Sequence, residues 1–291
     1  MLAVVGTVPD RHFPLTCGQV TLSGRMLEIN GYSVAVNRGT PALLAAAVNL
    51  CDFFAAPRPF AYLAGDIGTG AGSRKLYAHL ESHLPSQQFS SLTFHYIQPD
   101  VDWHNRVMLA MEKMSPRPVI IADAGFMYAA KMSGYADFYD VFTPDIGELA
   151  FLADDAAPHP FYTRGFILHE TNRIPEMVAR AYRFNNAARY LLIKGAQDVL
   201  ADAEGIRQVV SEPVVPSLEA IGGTGDILTG LVAALTGLGY ELPVACLYAA
   251  TVSRLAGDRA LPDPGTRVLE IIERIPECAA LFFTGKNRIP F

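Results

Sequence analysis

The sequence predicts an α/β fold of three layers, a mostly parallel central sheet between two layers of helices, and two observations carry that reading. From Pro41 onward, short apolar runs of strand length alternate with longer runs of helical periodicity, the βαβα order that builds parallel sheets. The composition agrees, with 51% hydrophobic and 18% charged residues, an apolar excess suited to strands covered on both faces. The chain of 291 residues can form a sizeable core, and it is read as a single domain over 1–291.

Each element follows from its local pattern. Leu2 to Val8 reads as a buried strand, with short β-prone pieces at Val20 to Leu22 and Ser33 to Val36. Pro41 to Phe54 reads as a helix with proline in its first turn and Thr40 as candidate cap. Strands at Phe60 to Ala64, Leu92 to Tyr96, Val119 to Ala122, Phe138 to Thr143 and Tyr190 to Ile193 then alternate with helices at Ser73 to His83, Trp103 to Met114, Gly147 to Leu152 and Glu176 to Asn186. Val199 to Val210 reads as a hairpin, followed by helices at Asp226 to Leu238, Pro243 to Ala260 and Val268 to Ala279. Ala156 to Gly165, rich in proline and histidine, resembles an inserted loop.

Charge and cysteine usage remove several classes of function. A net charge of -6 and a pI near 5.6 argue against nucleic acid as a partner. Cys17, Cys51, Cys246 and Cys278 form no metal-ligand spacing and read as reduced thiols of a cytoplasmic protein. The uncharged run Ile227 to Tyr240 falls short of the roughly 20 apolar residues of a membrane helix. The amino terminus has no basic region before its apolar run, so a soluble protein with no membrane partner is expected.

The chemistry concentrates at predicted strand ends, where open α/β sheets collect ligands. In Ile221 to Gly230, IGGTGDILTG, glycines bracket Thr224 ahead of a buried helix, and such a loop offers unpaired N–H groups and a positive helix end to a phosphate. Asp226 beside that anion is wrongly charged for simple binding but suits a base taking a proton from an attacking hydroxyl. The loop is neither a P-loop nor the dinucleotide fingerprint, since no Gly-Lys-Ser/Thr follows and Leu228 stands where a third glycine is needed. As a bland alternative, it is a glycine-rich turn with Asp226 favouring the helix start.

Three further strand ends carry candidates. Asp145 and Glu148 in FTPDIGE can converge on one hydrated cation, magnesium first, although a first helical turn also favours two carboxylates without any ligand. Lys194, followed by Gly195, is either a phosphate-contacting charge or a solvated strand end. Asp123 is placed for a substrate hydroxyl or for capping the next helix. The Gly65 to Gly72 loop, containing Asp66, is read as a substrate-side loop or a packing turn. The histidines, spaced singly, are read as surface or structural residues.

Taken in order, Asp123, the T-P-D-I-G-E segment, Lys194-Gly195 and GGTGDILTG resemble the ribokinase-like superfamily, and the carboxyl-terminal half is similar to its ADP- or ATP-dependent NAD(P)H-hydrate dehydratases. The resemblance covers roughly Val119 to Ala260 and implies a ribokinase-like αβα fold. It implies that Gly222, Gly223, Thr224 and Gly225 hold phosphate, that Asp226 is the catalytic base, and that Lys194 and Gly195 lie near ATP or ADP. Asp145 and Glu148 would organise Mg2+, while Asn37 and Gly39 of N-R-G-T, with Asp66 and Asp123, would lie on the substrate side.

The expected function is hydroxyl phosphorylation of a hydrated nicotinamide followed by elimination. The alternative is an ATP-dependent kinase acting on a hydroxyl of a sugar, nucleoside or vitamin precursor. Asp145-Ile146 replaces the family's histidine-bearing segment, and Ser217-Leu-Glu-Ala220 replaces its N-P-G-M-A run, so both substrates stay open. The partners expected are a nucleotide and a small molecule, and a homo-oligomer is compatible with the sequence.

Overall fold

The computed structural model describes residues 1–156 and 173–284. Among these, nine strands form one sheet: β1 (Leu2–Val8), β2 (Thr16–Gln19), β6 (Phe60–Gly65), β7 (Ser91–His95), β8 (Val119–Ala122), β9 (Val141–Phe142), β10 (Tyr190–Ile193), β11 (Asp198–Asp202) and β12 (Gly205–Val210). Their spatial order is β12-β11-β10-β9-β8-β7-β1-β6-β2. The six neighbours from β10 to β6 pair in parallel, whereas β2, β11 and β12 add antiparallel margins. A separate antiparallel sheet holds β3 (Thr21–Ser23), β4 (Met26–Ile29) and β5 (Tyr32–Ala35).

Helices cover both faces because the parallel strands alternate apolar side chains to either side. Leu2, Val4 and Val8 of β1 join one core with α1 (Thr40–Phe53), α7 (Thr224–Gly237), α8 (Leu242–Arg259), α9 (Val268–Ile272) and α10 (Ile275–Thr284). Ala3 and Val5 of the same strand join the other, with α2 (Ala71–His83), α3 (Val101–Met111), α4 (Ala124–Met132), α5 (Ile146–Leu152) and α6 (Ile174–Arg183). The expected mostly parallel three-layer αβα architecture is therefore present.

Several boundaries differ from the sequence reading, each for a local reason. Gly39, at φ 70°, caps α1, and Thr40 becomes the first helical residue with its hydroxyl free for another partner. Helix α4 and strand β4 were not expected. Strand β9 is reduced to two residues, because Ala136–Phe138 forms a 3-10 turn ahead of it. The helix expected over Val268 to Ala279 is two helices, since Pro276 has no N–H for an acceptor one turn back and its ring crowds that carbonyl. The Val199 to Val210 hairpin is found as β11 and β12. Most of the expected inserted loop, Ala156 to Gly165, lies outside the described residues. All four cysteines are free thiols. No helix among the described residues is long and apolar enough to cross a membrane.

Helices α1 and α7 press together at Gly230, where an added Cβ would lie 2.2 Å from the Leu43 carbonyl oxygen. In a helix interior alanine is favoured over glycine by about 1 kcal/mol, but here a backbone atom blocks the methyl. We expect Gly230→Ala to destabilise the fold by about 1–3 kcal/mol, read from urea unfolding midpoints.

On the opposite face, His104 is fully buried, with Nε2 2.7 Å from the Tyr139 hydroxyl and Nδ1 2.9 Å from Ser133 Oγ. Burial pushes its pKa down to about 4, from an ordinary 6.5. Between those values the unfolded chain binds the proton and the folded chain does not, so the stability present above pH 6.5 falls as the solution is acidified. Over that window the wild type should lose about 3 kcal/mol that a His104→Gln variant keeps. Urea unfolding of both proteins from pH 7.5 to 4.5 checks this.

Candidate active site

The parallel register delivers one polar side chain from each neighbouring strand to the same sheet edge. His95 ends β7, Asp123 follows β8, Thr143 follows β9 and Lys194 follows β10. Pairing runs on past the strands to hold them in step: Asp123 N donates to Phe94 O at 3.0 Å, Thr143 N to Ala122 O at 3.3 Å and Lys194 N to Pro144 O at 2.8 Å. Above this edge stand the amino termini of α1 and α7, which supply Gly39 with Thr40 and Thr224 to Asp226.

Asp123 is almost completely buried, at 2% exposure. Lys194 Nζ lies 2.9 Å from each of its oxygens, the Thr229 hydroxyl donates to Oδ2 at 2.6 Å, and Ala124 N donates to Oδ1 at 2.8 Å. Thr229 Oγ1 also lies 2.9 Å from the Thr143 hydroxyl. Burial opposes the Lys194 charge, yet Asp123, Glu148 and Asp226 outweigh it and hold the ammonium above its ordinary range.

Asp226, in the first turn of α7, is also buried. One oxygen lies 3.0 Å from His95 Nε2 and the other accepts the Gly39 N–H at 2.5 Å. Burial alone would raise its pKa, but His95, the Gly39 N–H and Lys194 reverse that and hold it below the usual carboxylate range. Asp226 is therefore ionised at neutral pH. His95 in turn places Nδ1 3.1 Å from the Thr40 hydroxyl, and its Nε2 lies 3.7 Å from Asp123.

The glycine loop leaves backbone N–H groups open at the start of α7. Gly223 has φ 105°, and a Cβ there would lie 2.9 Å from Val268. The first intrahelical bond of α7 runs from Ile227 N to Gly223 O, which leaves the N–H groups of Thr224, Gly225 and Asp226 without an intrahelical acceptor. An added Cβ on Gly225 would lie 3.4 Å from the Lys194 side chain, so the lysine stem runs directly beneath the loop.

The remaining expected residues take different places. Asp145 and Glu148 form a reciprocal capping box on α5, with backbone-to-carboxylate bonds of 2.7 and 2.8 Å, and Glu148 also accepts the Tyr128 hydroxyl at 2.8 Å. Burial, Asp123 and Asp145 push the Glu148 pKa up to about 7 against the pull of Lys194, although the side chain is only half-buried. Among the described residues, Asp66 bonds only inside its own loop and helix, accepting from the N–H groups of Gly68, Thr69, Gly70 and Ser73 and from the Ser73 hydroxyl. That is the packing-turn alternative. Gly39 points its N–H at Asp226, and Asn37 is exposed two residues earlier. Behind Gly195, the Arg254 guanidinium ties Asp198 to the carbonyls of Gly195, Ala196, Ser211 and Pro213.

His95, Thr229 and Arg254 carry no expected role in the sequence, and Thr40 is expected there only as a helix cap. For His95 a signal was present: it ends an apolar strand, as Asp123 and Lys194 do.

A buried carboxylate at the start of a helix, over the carboxyl edge of a parallel sheet in an αβα sandwich, places the protein in the ribokinase-like class. Solved structures share that fold: pyridoxal kinase of Staphylococcus aureus in complex with AMP-PCP and pyridoxal (TM-score 0.57, 13% identity, covering 87% of this chain and 86% of that one), and the ADP/ATP-dependent NAD(P)H-hydrate dehydratase of Bacillus subtilis co-crystallized with ATP/Mg2+ (TM-score 0.56, 13% identity, 95% and 87%). Residues 99–277 match the carbohydrate-kinase-related family model described as NAD(P)H-hydrate dehydratase, and the chain belongs to that family. It is thus an enzyme of dehydratase or kinase type.

Relatives by sequence include an uncharacterized protein of Methanocaldococcus jannaschii, 37% identical over 73% of this chain and 87% of the relative. A bifunctional NAD(P)H-hydrate repair enzyme of Pyrobaculum aerophilum is 28% identical over 89% of this chain, which spans 50% of that protein's length.

Removing Lys194 would leave Asp123 buried and uncompensated. We expect Lys194→Met to cost about 3 kcal/mol of stability, and Asp123→Asn with Lys194→Met to recover much of it, because no buried charge then remains. A double-mutant cycle of thermal or urea unfolding measures the difference.

Proposed function

We propose that the protein is an ADP- or ATP-dependent NAD(P)H-hydrate dehydratase. The observation that carries this is the ionised Asp226 carboxylate set among the free N–H groups of the α7 amino terminus. Family membership supports the choice of a hydrated nicotinamide as substrate, since position and charge alone suit any hydroxyl acceptor.

In this mechanism the open N–H groups of Thr224, Gly225 and Asp226, in the loop that Gly222 and Gly223 begin, would hold the terminal phosphate of the nucleotide, with Lys194 beneath the loop as fixed positive charge. Asp226 removes the proton from the hydrate's hydroxyl as that oxygen attacks the terminal phosphorus. The bond from phosphorus to the bridging oxygen breaks, and ADP leaves from ATP, or AMP from ADP. The phosphorylated carbon then loses phosphate while its neighbour loses a proton, which restores the double bond of the reduced nicotinamide.

Mg2+ would neutralise phosphate oxygens during the transfer. The residues fit a water-mediated ion: Asp145 and Glu148 are partly committed to their capping box, and no group of three or more histidine, cysteine or carboxylate side chains among the described residues could enclose a metal directly. Carboxylates also outnumber cations here, with Asp123, Asp145, Glu148 and Asp226 around one lysine, so a bound cation meets a favourable field. Gly195 would border the nucleotide, while Asn37 and Gly39 would border the acceptor.

Hydrated NADH or NADPH, supplied with Mg2+ and either ADP or ATP, should regain the absorbance of the reduced nicotinamide. Asp226→Asn should lower that rate by about 10²–10⁴-fold without loss of fold. No recovery with either nucleotide, alongside phosphorylation of a sugar, nucleoside or vitamin precursor, would move the protein to the kinase branch.

A further inference from the structure

Among the described residues, His95 is the buried side chain that bonds directly to Asp226, and neither the phosphate cradle nor the transfer step uses it. Its ring is sealed at 0% exposure. The surroundings select its tautomer. Nε2 faces acceptors only, Asp226 Oδ1 at 3.0 Å and Asp123 Oδ2 at 3.7 Å, so it must carry hydrogen. Nδ1 faces the Thr40 hydroxyl at 3.1 Å, a group able to donate to it.

Thr40 is available for this because Gly39, not Thr40, caps α1. The same cap sends its N–H to the second oxygen of Asp226. Each oxygen of the carboxylate is therefore gripped by one donor, and the two donors come from different layers of the fold. Space around the grip is fixed too: a Cβ on Gly6 would lie 2.4 Å from Thr40 Oγ1 and 2.5 Å from the His95 carbonyl oxygen, so glycine in β1 is what lets Thr40 and the end of β7 approach.

We propose that His95 is a positioning residue for Asp226: its Nε2–H, fixed in that tautomer by Thr40, orients the carboxylate so that its remaining lone pairs face a hydroxyl held at the α7 amino terminus. The inference rests on the reading of Asp226 as the base. A carboxylate held by a single donor could rotate about its Cβ–Cγ bond, whereas two donors on opposite oxygens leave one orientation. The same bond contributes to keeping Asp226 ionised. The charged or titratable groups on the elements around Asp226 are His95 and Tyr96 at the end of β7, Asp123 after β8, Lys194 after β10, and Arg38 on the approach to α1. Of these, His95 alone bonds directly to the carboxylate.

The test compares His95→Leu, which cannot donate, with His95→Gln, whose amide N–H can reach the position of Nε2, in the full-length protein. Titration of the Asp226 carboxyl is followed by carbon NMR, with Asp226→Asn identifying the signal. In His95→Leu the midpoint should rise by about one pH unit or more, kcat should fall about 10- to 100-fold, and ADP affinity should stay within about twofold. His95→Gln should restore a large part of both the midpoint and kcat. Should His95→Leu fail to fold, Thr40→Val decides, with a smaller shift in the same direction expected. An unmoved Asp226 midpoint, or a glutamine variant no better than leucine, overturns the proposal. A wild-type protein that turns over no hydrated nicotinamide removes the proposed substrate, while the carboxyl titration still decides the role of His95.

Discussion

Burying the Asp123 carboxylate is the constraint on which the rest of the site depends. An ion at 2% exposure has lost its water, and the effective penalty in a protein interior is several kcal/mol unless other groups replace the hydration. Here the replacements come from Ala124 N at the start of α4, Thr229 on α7 and Lys194 after β10. Each belongs to a different element. Satisfying one carboxylate therefore fixes how α7 sits over the strand ends, and with it where the Gly223 to Asp226 turn presents its N–H groups. This is why Lys194 is drawn beneath the loop.

The two buried aspartates are consequently different in kind. Asp123 is bound by an ammonium, a hydroxyl and a backbone N–H, and little of its acceptor capacity is left for a substrate. Asp226 has one donor on each oxygen, so lone pairs remain on both. An ionised carboxylate with unused acceptor capacity, next to N–H groups that attract phosphate, is the arrangement a base in phosphoryl transfer requires. The sequence offered both residues as strand-end or loop carboxylates, and only the partner count separates them.

The layered architecture was legible in the alternation of apolar runs, and so was the shared edge, because a parallel sheet sends every strand's carboxyl end the same way. What escaped depended on contacts between residues distant in the chain. His95 looked like an isolated histidine because its partners, Thr40 and Asp226, lie 55 and 131 positions away. Asp66 looked like a ligand-facing carboxylate in a glycine loop, yet the same spacing lets it accept four of that segment's own N–H groups. Helix α4 is short and carries Gly125 in its first turn, so its local signal was weak, whereas the rule that parallel strands need a crossover demanded an element there.

Charge balance gives the Asp145 and Glu148 pair a meaning that its motif does not. Both side chains already serve α5, so the helix start accounts for their presence. It does not account for the environment of Glu148, whose pKa is driven up to about 7 by burial and by the carboxylates of Asp123 and Asp145. The excess of carboxylates over cations makes the edge between the amino termini of α5 and α7 a region of negative field.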